Sequence, residues 1–221
     1  MTLAALISKV MVKLEEYTPF AETTLIAAPQ AQGFEVKPIR SYINDTIDDA
    51  VNEMLKVLPI AMIFPDDMTT TPESTGSDVL FVGDSFLRLH TFKMHEWEKI
   101  VNIAYPEGSD MHELQKCEWT KGRKCKPVVI YGSKTTTNAG VVQKKKYIQY
   151  FSVDTDTTID IAKQVSTFVS ANYSTGDIPN GHLAEFFALN CAKKVYEYYG
   201  MNDKSALIQA QLDKMLEEFA V

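Results

Sequence analysis

The stretch LAEFFALNCAKKVYEYYG, Leu183 to Gly200, decides how the rest of the chain is read. Leu183, Phe187, Cys191, Val195 and Tyr198 recur at near four-residue steps, the spacing that puts side chains on one face of an α-helix. Gly200 stands where a left-handed residue closes such a helix. Asp203 then predicts the cap of a last helix, with Ile208, Leu212, Met215 and Phe219 in register. The connection is short, so the two predict an αα-hairpin. Upstream, Asp156 predicts the cap of a helix to about Tyr173, with Ile161, Val165 and Phe168 inward, followed by a turn at Ser174–Asp177.

The N-terminal part is helical too. Leu3, Leu6, Ile7, Val10, Leu14 and Tyr17 form an apolar stripe that Thr18-Pro19 ends. Residues 18–37 carry Pro19, Pro29 and Gly33 without a helical period and read as an extended arm, long enough to reach a neighbouring surface. Pro38 opens a second helix at the first-turn position that proline tolerates. Its buried stripe is Ile39, Ile43, Ile47, Ala50, Met54 and Leu58, widened by Tyr42, Val51 and Leu55. Asp45, Asp48, Asp49 and Glu53 fall largely on the other face and read as a solvated surface.

Between these helices the composition changes. Residues 66–77 are polar, Thr-rich and broken by Pro72 and Gly76, which predicts a loop. Val79–Val82, Phe86–Met94, Pro127–Tyr131 and Val141–Phe151 are rich in β-branched and aromatic residues and predict strands, with turns at Gly83-Asp84 and from Gly132 to Gly140. Within Phe86–Met94, Leu87 and Leu89 are expected on one face, Arg88 and His90 on the other. Local turns imply antiparallel pairing. The expectation is therefore an α+β chain. A helical core, made of the N-terminal helices (residues 1–65) and the C-terminal segment with its αα-hairpin (152–221), carries an inserted antiparallel β region (66–151).

The chain has 221 residues, 45% of them hydrophobic and 23% charged, which excludes collagen, a disulfide-rich miniprotein and a disordered tail. Lys9 and Lys13 interrupt the apolar start, so no secretory signal is expected, and Val57–Phe64 is far shorter than a membrane span. The cysteines, Cys117, Cys125 and Cys191, read as free thiols, with Cys191 a small buried hydrophobe on its helix. Cys117 and Cys125, with His112 nearby, are spaced too widely for the usual zinc pairing, so no metal is expected. There is no P-loop, no dinucleotide fingerprint, no zincin motif and no nucleophile elbow. His90, His95, His112 and His182 read as structural or solvated, and Asp48-Asp49 and Asp66-Asp67 as ordinary surface acids. No catalytic residue, cofactor or enzymatic activity is expected.

The net charge of −7 argues against a dedicated nucleic-acid binder. It is unevenly spread. Residues 78–153 hold twelve Lys or Arg against eight acids, +4, which leaves −11 for the remainder. The basic residues gather at Lys121-Gly122-Arg123-Lys124 with Lys126, and at Lys144-Lys145-Lys146 beside Tyr147 and Tyr150. Edge protection of an exposed strand ranks first as an explanation for the lysines. A basic module meeting an acidic neighbour, another copy included, and nucleic acid are the other two readings.

The helix from Pro38 to Leu55 (PIRSYINDTIDDAVNEML) with Leu58-Pro59, and the closing pair Leu183–Gly200 and Asp203–Leu216, resemble the helices of phage head-to-tail connector proteins. Phe86-Leu87-Arg88-Leu89, Trp97, Val101 and Lys126-Pro127-Val128-Val129 are similar to the inserted β region of ring proteins from crAss-like podoviruses. The resemblance implies a non-enzymatic bacteriophage virion protein of the neck or tail, assembled in the host cytoplasm. Such adaptors form a ring, usually of twelve subunits, beneath the portal protein. They extend the DNA channel, lie close to packaged DNA without reading it, and carry the next tail or ring protein. No membrane is involved. Leu212, Met215, Leu216 and Phe219 would be anchors on the portal, or would pack within the hairpin. Lys144, Lys145 and Lys146 would contribute to an intersubunit surface. Another tail or capsid-associated protein of the same virion, and a small hydrolase or binding protein, stand as alternatives.

Overall fold

The computed structural model describes residues 1–17, 39–74, 77–138, 141–152 and 158–219. The arm at 18–37, the helix opening at Pro38 and the cap at Asp156 lie outside them. Among the described residues are five α-helices and eight strands. The chain divides into two units, Met1–Phe64 with Phe168–Val221, and Pro65–Thr167.

The first unit is helical. It contains α1 (Leu3–Tyr17), α2 (Ile39–Val57), α4 (Ala184–Tyr198) and α5 (Asn202–Glu218); α3 (Asp110–Leu114) belongs to the other unit. Helix α4 packs against α1, α2 and α5. It is buried on nearly every side, from Ala184 through Phe186–Ala192 to Val195 and Tyr196, as expected of a helix surrounded by others. The first three residues of its expected stripe after Leu183, namely Phe187, Cys191 and Val195, are fully buried. Tyr198 is not: at the end of the helix it is 66% exposed, its ring 4.7 Å from that of Tyr42. Gly200 has φ +69°, as its place at the helix end requires. Helix α5 begins at Asn202, so Asp203 sits inside the first turn instead of capping it, where its charge still favours the helix dipole.

Polar contacts in this unit tie distant stretches of chain together. The fully buried Tyr196 donates its hydroxyl to the carbonyl of Leu14 at 2.7 Å, satisfying one of the carbonyls that the end of α1 leaves without a helical partner. Asn190 is buried and donates to Ala50 O at 2.9 Å and to Glu53 Oε2 at 3.0 Å. Asn52 donates from Nδ2 to Phe168 O at 2.8 Å and accepts from Phe168 N at 2.7 Å. Asp48 accepts from Ser170 N at 2.8 Å. The α2 acids are thus only partly a solvated face. Asp45 and Asp49 are exposed, but Asp48 holds returning backbone and Glu53 is engaged by Asn190 and Lys194.

The second unit carries two sheets. One has the order β1 (Asp66–Asp67), β8 (Ile159–Ser166), β4 (Phe86–Met94). The other has the order β2 (Thr70–Pro72), β3 (Val79–Val82), β7 (Val141–Phe151), β6 (Val128–Asn138), β5 (Ala104–Pro106). Its core joins Met68, Leu80, Phe86, Leu89, Phe92, Met94 and Trp97 with Val129, Ile148 and Tyr150. Phe92, Trp97 and Tyr150 meet at ring separations of 5.6–6.2 Å.

The expected helical core with an inserted antiparallel region is therefore corrected. The chain is a strand-rich, mixed α/β protein whose sheet region is a large unit with a core of its own. Four local causes account for the difference. The helix expected to Tyr173 is strand β8 over Ile159–Ser166, paired with β4 along its length and followed by a short turn of helix at Ser170–Tyr173. The Thr-rich loop contains β1 and β2. Strand β6 runs on past Gly132, because Gly132 lies opposite Tyr147 and the threonines after it favour a pleated strand. Pairing is not all antiparallel, since β5 lies parallel to β6 with α3 and the loop after it as the crossover. Within β4 the buried residues are Phe86, Leu89, Phe92 and Met94, and register shifts interrupt the alternation. Leu87 therefore does not share the buried face of Leu89. Among the described residues no helix is long and apolar enough to cross a membrane.

Asn52→Ala removes both bonds to Phe168 and should lower the unfolding free energy by about 1–3 kcal/mol in urea titrations, against almost no change for Asn44→Ala on the exposed face. Glu185 accepts from Lys9 and Lys13 at 2.8 and 2.7 Å. Partial burial pulls its carboxyl upward, but the hydrogen bonds from Lys13 and Lys9 outweigh this and hold it below its ordinary value of 4.5. The stabilisation is therefore complete above that value and is lost as the pH falls through the lower, folded one. Glu185→Gln should make stability less dependent on pH below about 5, measured as urea midpoints.

Candidate functional site

The four histidines are placed separately. His90 Nδ1 lies 2.7 Å from Thr91 Oγ1, His95 Nδ1 3.0 Å from Asp160 Oδ1, and His182 Nε2 2.7 Å from Met62 O, while His112 Nδ1 accepts from Gly108 N at 2.9 Å. Among the described residues no three His, Cys, Asp or Glu side chains come together in a way that could hold a metal ion. Cys191 is buried beside Thr46, and that burial pushes its thiol up to about 11. Cys117 and Cys125 are exposed. The Cys117 thiol is held below its ordinary value by the backbone N–H of Trp119 and the Thr120 hydroxyl.

The residues expected at interfaces fare unequally. Leu212 is buried in the helical unit, Met215 and Leu216 are half-buried, and Phe219 is exposed with its ring 5.9 Å from that of Phe186. Lys146 donates to Asp84 O at 2.9 Å and Phe86 O at 2.6 Å, so its amine fastens the turn between β3 and β4. Lys145 lies 5.6 Å from the centre of the Phe81 ring, a cation–π contact. Lys144 is exposed. Strand β7 is interior where Tyr147–Gln149 pairs with β3, yet Val141–Lys146 pairs only with β6 among the described strands. There the pair is a two-stranded hairpin, with Lys134 directly opposite Lys145. Like charges so placed destabilise a ladder, and the ion pair of Lys134 with Glu73 offsets this in part.

The second basic cluster is a built loop. Gln115 is buried; its Nε2 donates to Met111 O at 2.9 Å and its Oε1 accepts from Gly122 N at 2.8 Å. Gly122 is buried, and a Cβ there would stand 2.6 Å from Phe151 O, so only glycine lets the loop lie this close to the sheet. Thr120 Oγ1 donates to Leu114 O at 2.5 Å. Arg123 and Lys126 exchange backbone hydrogen bonds at 3.1 and 2.8 Å across a tight turn. Lys124 pairs with Glu96, and Glu98 N donates to Lys124 O at 3.1 Å. Trp119 rides on this frame, 88% exposed. Lys116, Lys121, Arg123, Lys124 and Lys126 surround it in sequence with Glu118 the one acid between them.

The loop sits against the Val128–Phe151 end of the β6–β7 pair, and Lys134 and Lys144–Lys146 lie toward the other. Six residues of strand separate Val128 from Lys134, or ~20 Å at the usual rise. The positive charge is local to these two places. Over Pro65–Thr167 as a whole, thirteen Lys or Arg face fourteen acids, because Asp66, Asp67, Glu73, Asp154, Asp156 and Asp160 flank the basic stretches. The excess of acid rests on the helical unit, which holds nine Lys or Arg and fifteen acids. Trp119 was invisible to periodicity. The signal available was its setting, a large aromatic inside a polar, lysine-rich run ending at Gly122. No protein-family model, curated protein or solved structure matches the chain.

Gly122→Ala should push the loop off the sheet. The expected result is faster tryptic cleavage at Lys121 and Arg123 in native protein, with the Trp97 emission unchanged because Trp97 is buried in the core of its unit.

Proposed function

We propose that this protein is a non-enzymatic assembly subunit, a head–tail connector ring protein of a phage virion that joins the portal to the tail. One observation carries the assembly part of the reading: the outer half of the β6–β7 hairpin forms a strand pair in which, among the described strands, only its own two strands take part. A lone two-stranded hairpin is marginal in water, so such an extension is best stabilised by a surface that covers it. A long basic hairpin and an exposed Trp119 loop are two unlike contact features. Rings need unlike faces, because each subunit meets its neighbours through heterologous interfaces that close by rotation. The connector identity rests on the resemblance in the helices Pro38–Leu55 and Leu183–Leu216 and in the β region. The acidic excess of the helical unit suits a conduit wall that repels phosphate and lets DNA slide past.

The test is a mass measurement in solution, with and without the portal protein of the same virus. Wild type should form a closed ring, alone or on the portal. A variant in which Asn-Gly replaces Lys134–Lys145 joins Ser133 to Lys146, which already face each other across the ladder. It should remain a folded monomer by circular dichroism and melting, and should fail to form the ring. Ring formation by the shortened variant as efficient as that of wild type would sink the role given to the hairpin. A wild-type chain that never associates, with or without portal, would sink the connector reading.

A further inference from the structure

An exposed tryptophan on a flexible tail needs no explanation. Trp119 is different, because its loop is held from several directions: by the buried amide of Gln115, by Thr120, by the backbone ladder of Arg123 and Lys126, and by Lys124 on Glu96. Presenting a large aromatic side chain from a fixed frame lowers the entropy lost when a partner covers it. Tryptophan and arginine are among the residue types enriched in binding hot spots, and Arg123 follows Trp119 by four residues. Around it Lys121, Arg123 and Lys126 take no ion pair among the described residues, whereas Lys116 and Lys124 are neutralised by Glu113 and Glu96. The surface that fits this loop is acidic, with an apolar seat.

The chain carries such a surface. The outward face of α5 presents Ala206, Leu207 and Ala210 as an exposed apolar strip, with Leu207 59% exposed. Asp203 lies one turn before the strip, Asp213 and Glu217 lie one and two turns after it on the same helix face, and the exposed Lys214 stands among them, so the face carries three acids against one base. All three acids are exposed. Asp203 and Glu217 take no ion pair among the described residues, and Asp213 accepts only a neutral amide, Gln209 Nε2 at 2.7 Å. Several other acids of the helical unit are engaged in the fold, Glu185 by Lys9 and Lys13, Glu53 by Lys194 and Asp48 by Ser170 N, while Asp49 on α2 is exposed as the α5 acids are.

We propose that Trp119 of one copy seats on the Leu207 strip of α5 in a second copy, with the loop's unpaired cations against Asp203, Asp213 and Glu217. This rests on the ring reading and gives it a contact. Loop and helix face are different surfaces, so the contact is heterologous, and every copy offers both halves. A tryptophan buries about 150–250 Å², well short of the ~800 Å² per partner of a stable interface. The contact is therefore the anchor of a larger interface to which the hairpin also contributes.

Two measurements decide it. In the first, the loop reversal Lys121→Glu/Arg123→Glu/Lys126→Glu and the helix reversal Asp203→Lys/Asp213→Lys/Glu217→Lys are made separately and combined in one chain. Each alone should abolish association while circular dichroism stays that of wild type, and the combined chain should associate again. Trp119→Ala should weaken self-association about 30-fold or more. In the second, Cys117→Ser/Ala210→Cys leaves the native Cys125 thiol on the loop and places one on the strip. Oxidation of the assembled protein should give a ladder of covalent dimers, trimers and higher species, because a head-to-tail contact propagates. Separate reversals that associate like wild type overturn the proposal, as does a combined chain that stays apart. A cross-link confined to single chains or stopping at dimers overturns it too. So does loss of single-stranded DNA binding, not of association, on loop reversal, which would assign the loop to nucleic acid. If the hairpin-shortened chain fails to assemble while both reversals assemble normally, the ring reading survives and this contact is wrong. A wild-type chain that never associates removes both.

Discussion

The helical unit depends on one constraint: α4 must be enclosed by helices that come from both ends of the sequence. Its buried surface runs almost round the whole helix, so no single partner satisfies it. Helices α1 and α2 precede the β unit, and α4 and α5 follow it. The Tyr196 hydroxyl on Leu14 O fixes α4 to the end of α1, and Asn190 fixes it to α2 through Ala50 O and Glu53. Asn52 and Asp48 then take hold of the chain at Phe168 and Ser170, where it re-enters the unit. The bonds at Leu14 O, Phe168 and Ser170 N sit where main-chain groups would otherwise be left without partners, whereas Asn190 adds its bond to a carbonyl inside α2. The polar residues within these apolar helices thus select one docking among the many that the apolar stripes alone would permit.

The helical unit was largely legible because its stripes are long and regular. Ile43, Ile47, Ala50 and Met54 of α2, Phe187, Cys191 and Val195 of α4, and Ile208 and Leu212 of α5 are all buried where a 3.6-residue period places them. The β unit was harder to read for a physical reason. Bulges spoil the two-residue alternation of β4, leaving Phe86, Leu89 and Phe92 buried at three-residue steps, which imitates a helix. In β8 the adjacent residues Gln164 and Val165 are both buried, and Ile161, Val165 and Phe168 fall at four- and three-residue steps that read as one helical face. Long-range pairing with β4 decides that segment, and no local pattern contains it. The candidate surface was half legible. The lysine clusters are plain in the sequence, but which amines are consumed by the fold is not. Lys146 holds a turn and Lys145 lies over Phe81, which leaves Lys144 as the outward member of the three.

Charge changes meaning once the units are drawn. The apparent basic insertion is nearly neutral at its true boundaries, and its positive charge is concentrated at the two ends of one strand pair. A uniformly basic unit would act by long-range attraction, which falls away within about 10 Å in ordinary salt. Two separate clusters, one of them fixed around Trp119, act at contact distance and favour particular partners over general attraction.

The division of the helical unit between the two ends of the sequence has a consequence for how the protein is made. On the ribosome, α1 and α2 emerge before the β unit with their apolar stripes bare, and α4 does not exist until the whole β unit has been translated. The β unit, being continuous in sequence, is free to fold during that interval, since domains generally fold as units during synthesis. The early helices must wait for their partner, shielded by transient contacts or by chaperones. The acidic helical unit is completed only when α4 and α5 have been made, so its α5 face is formed after the β unit and not before it.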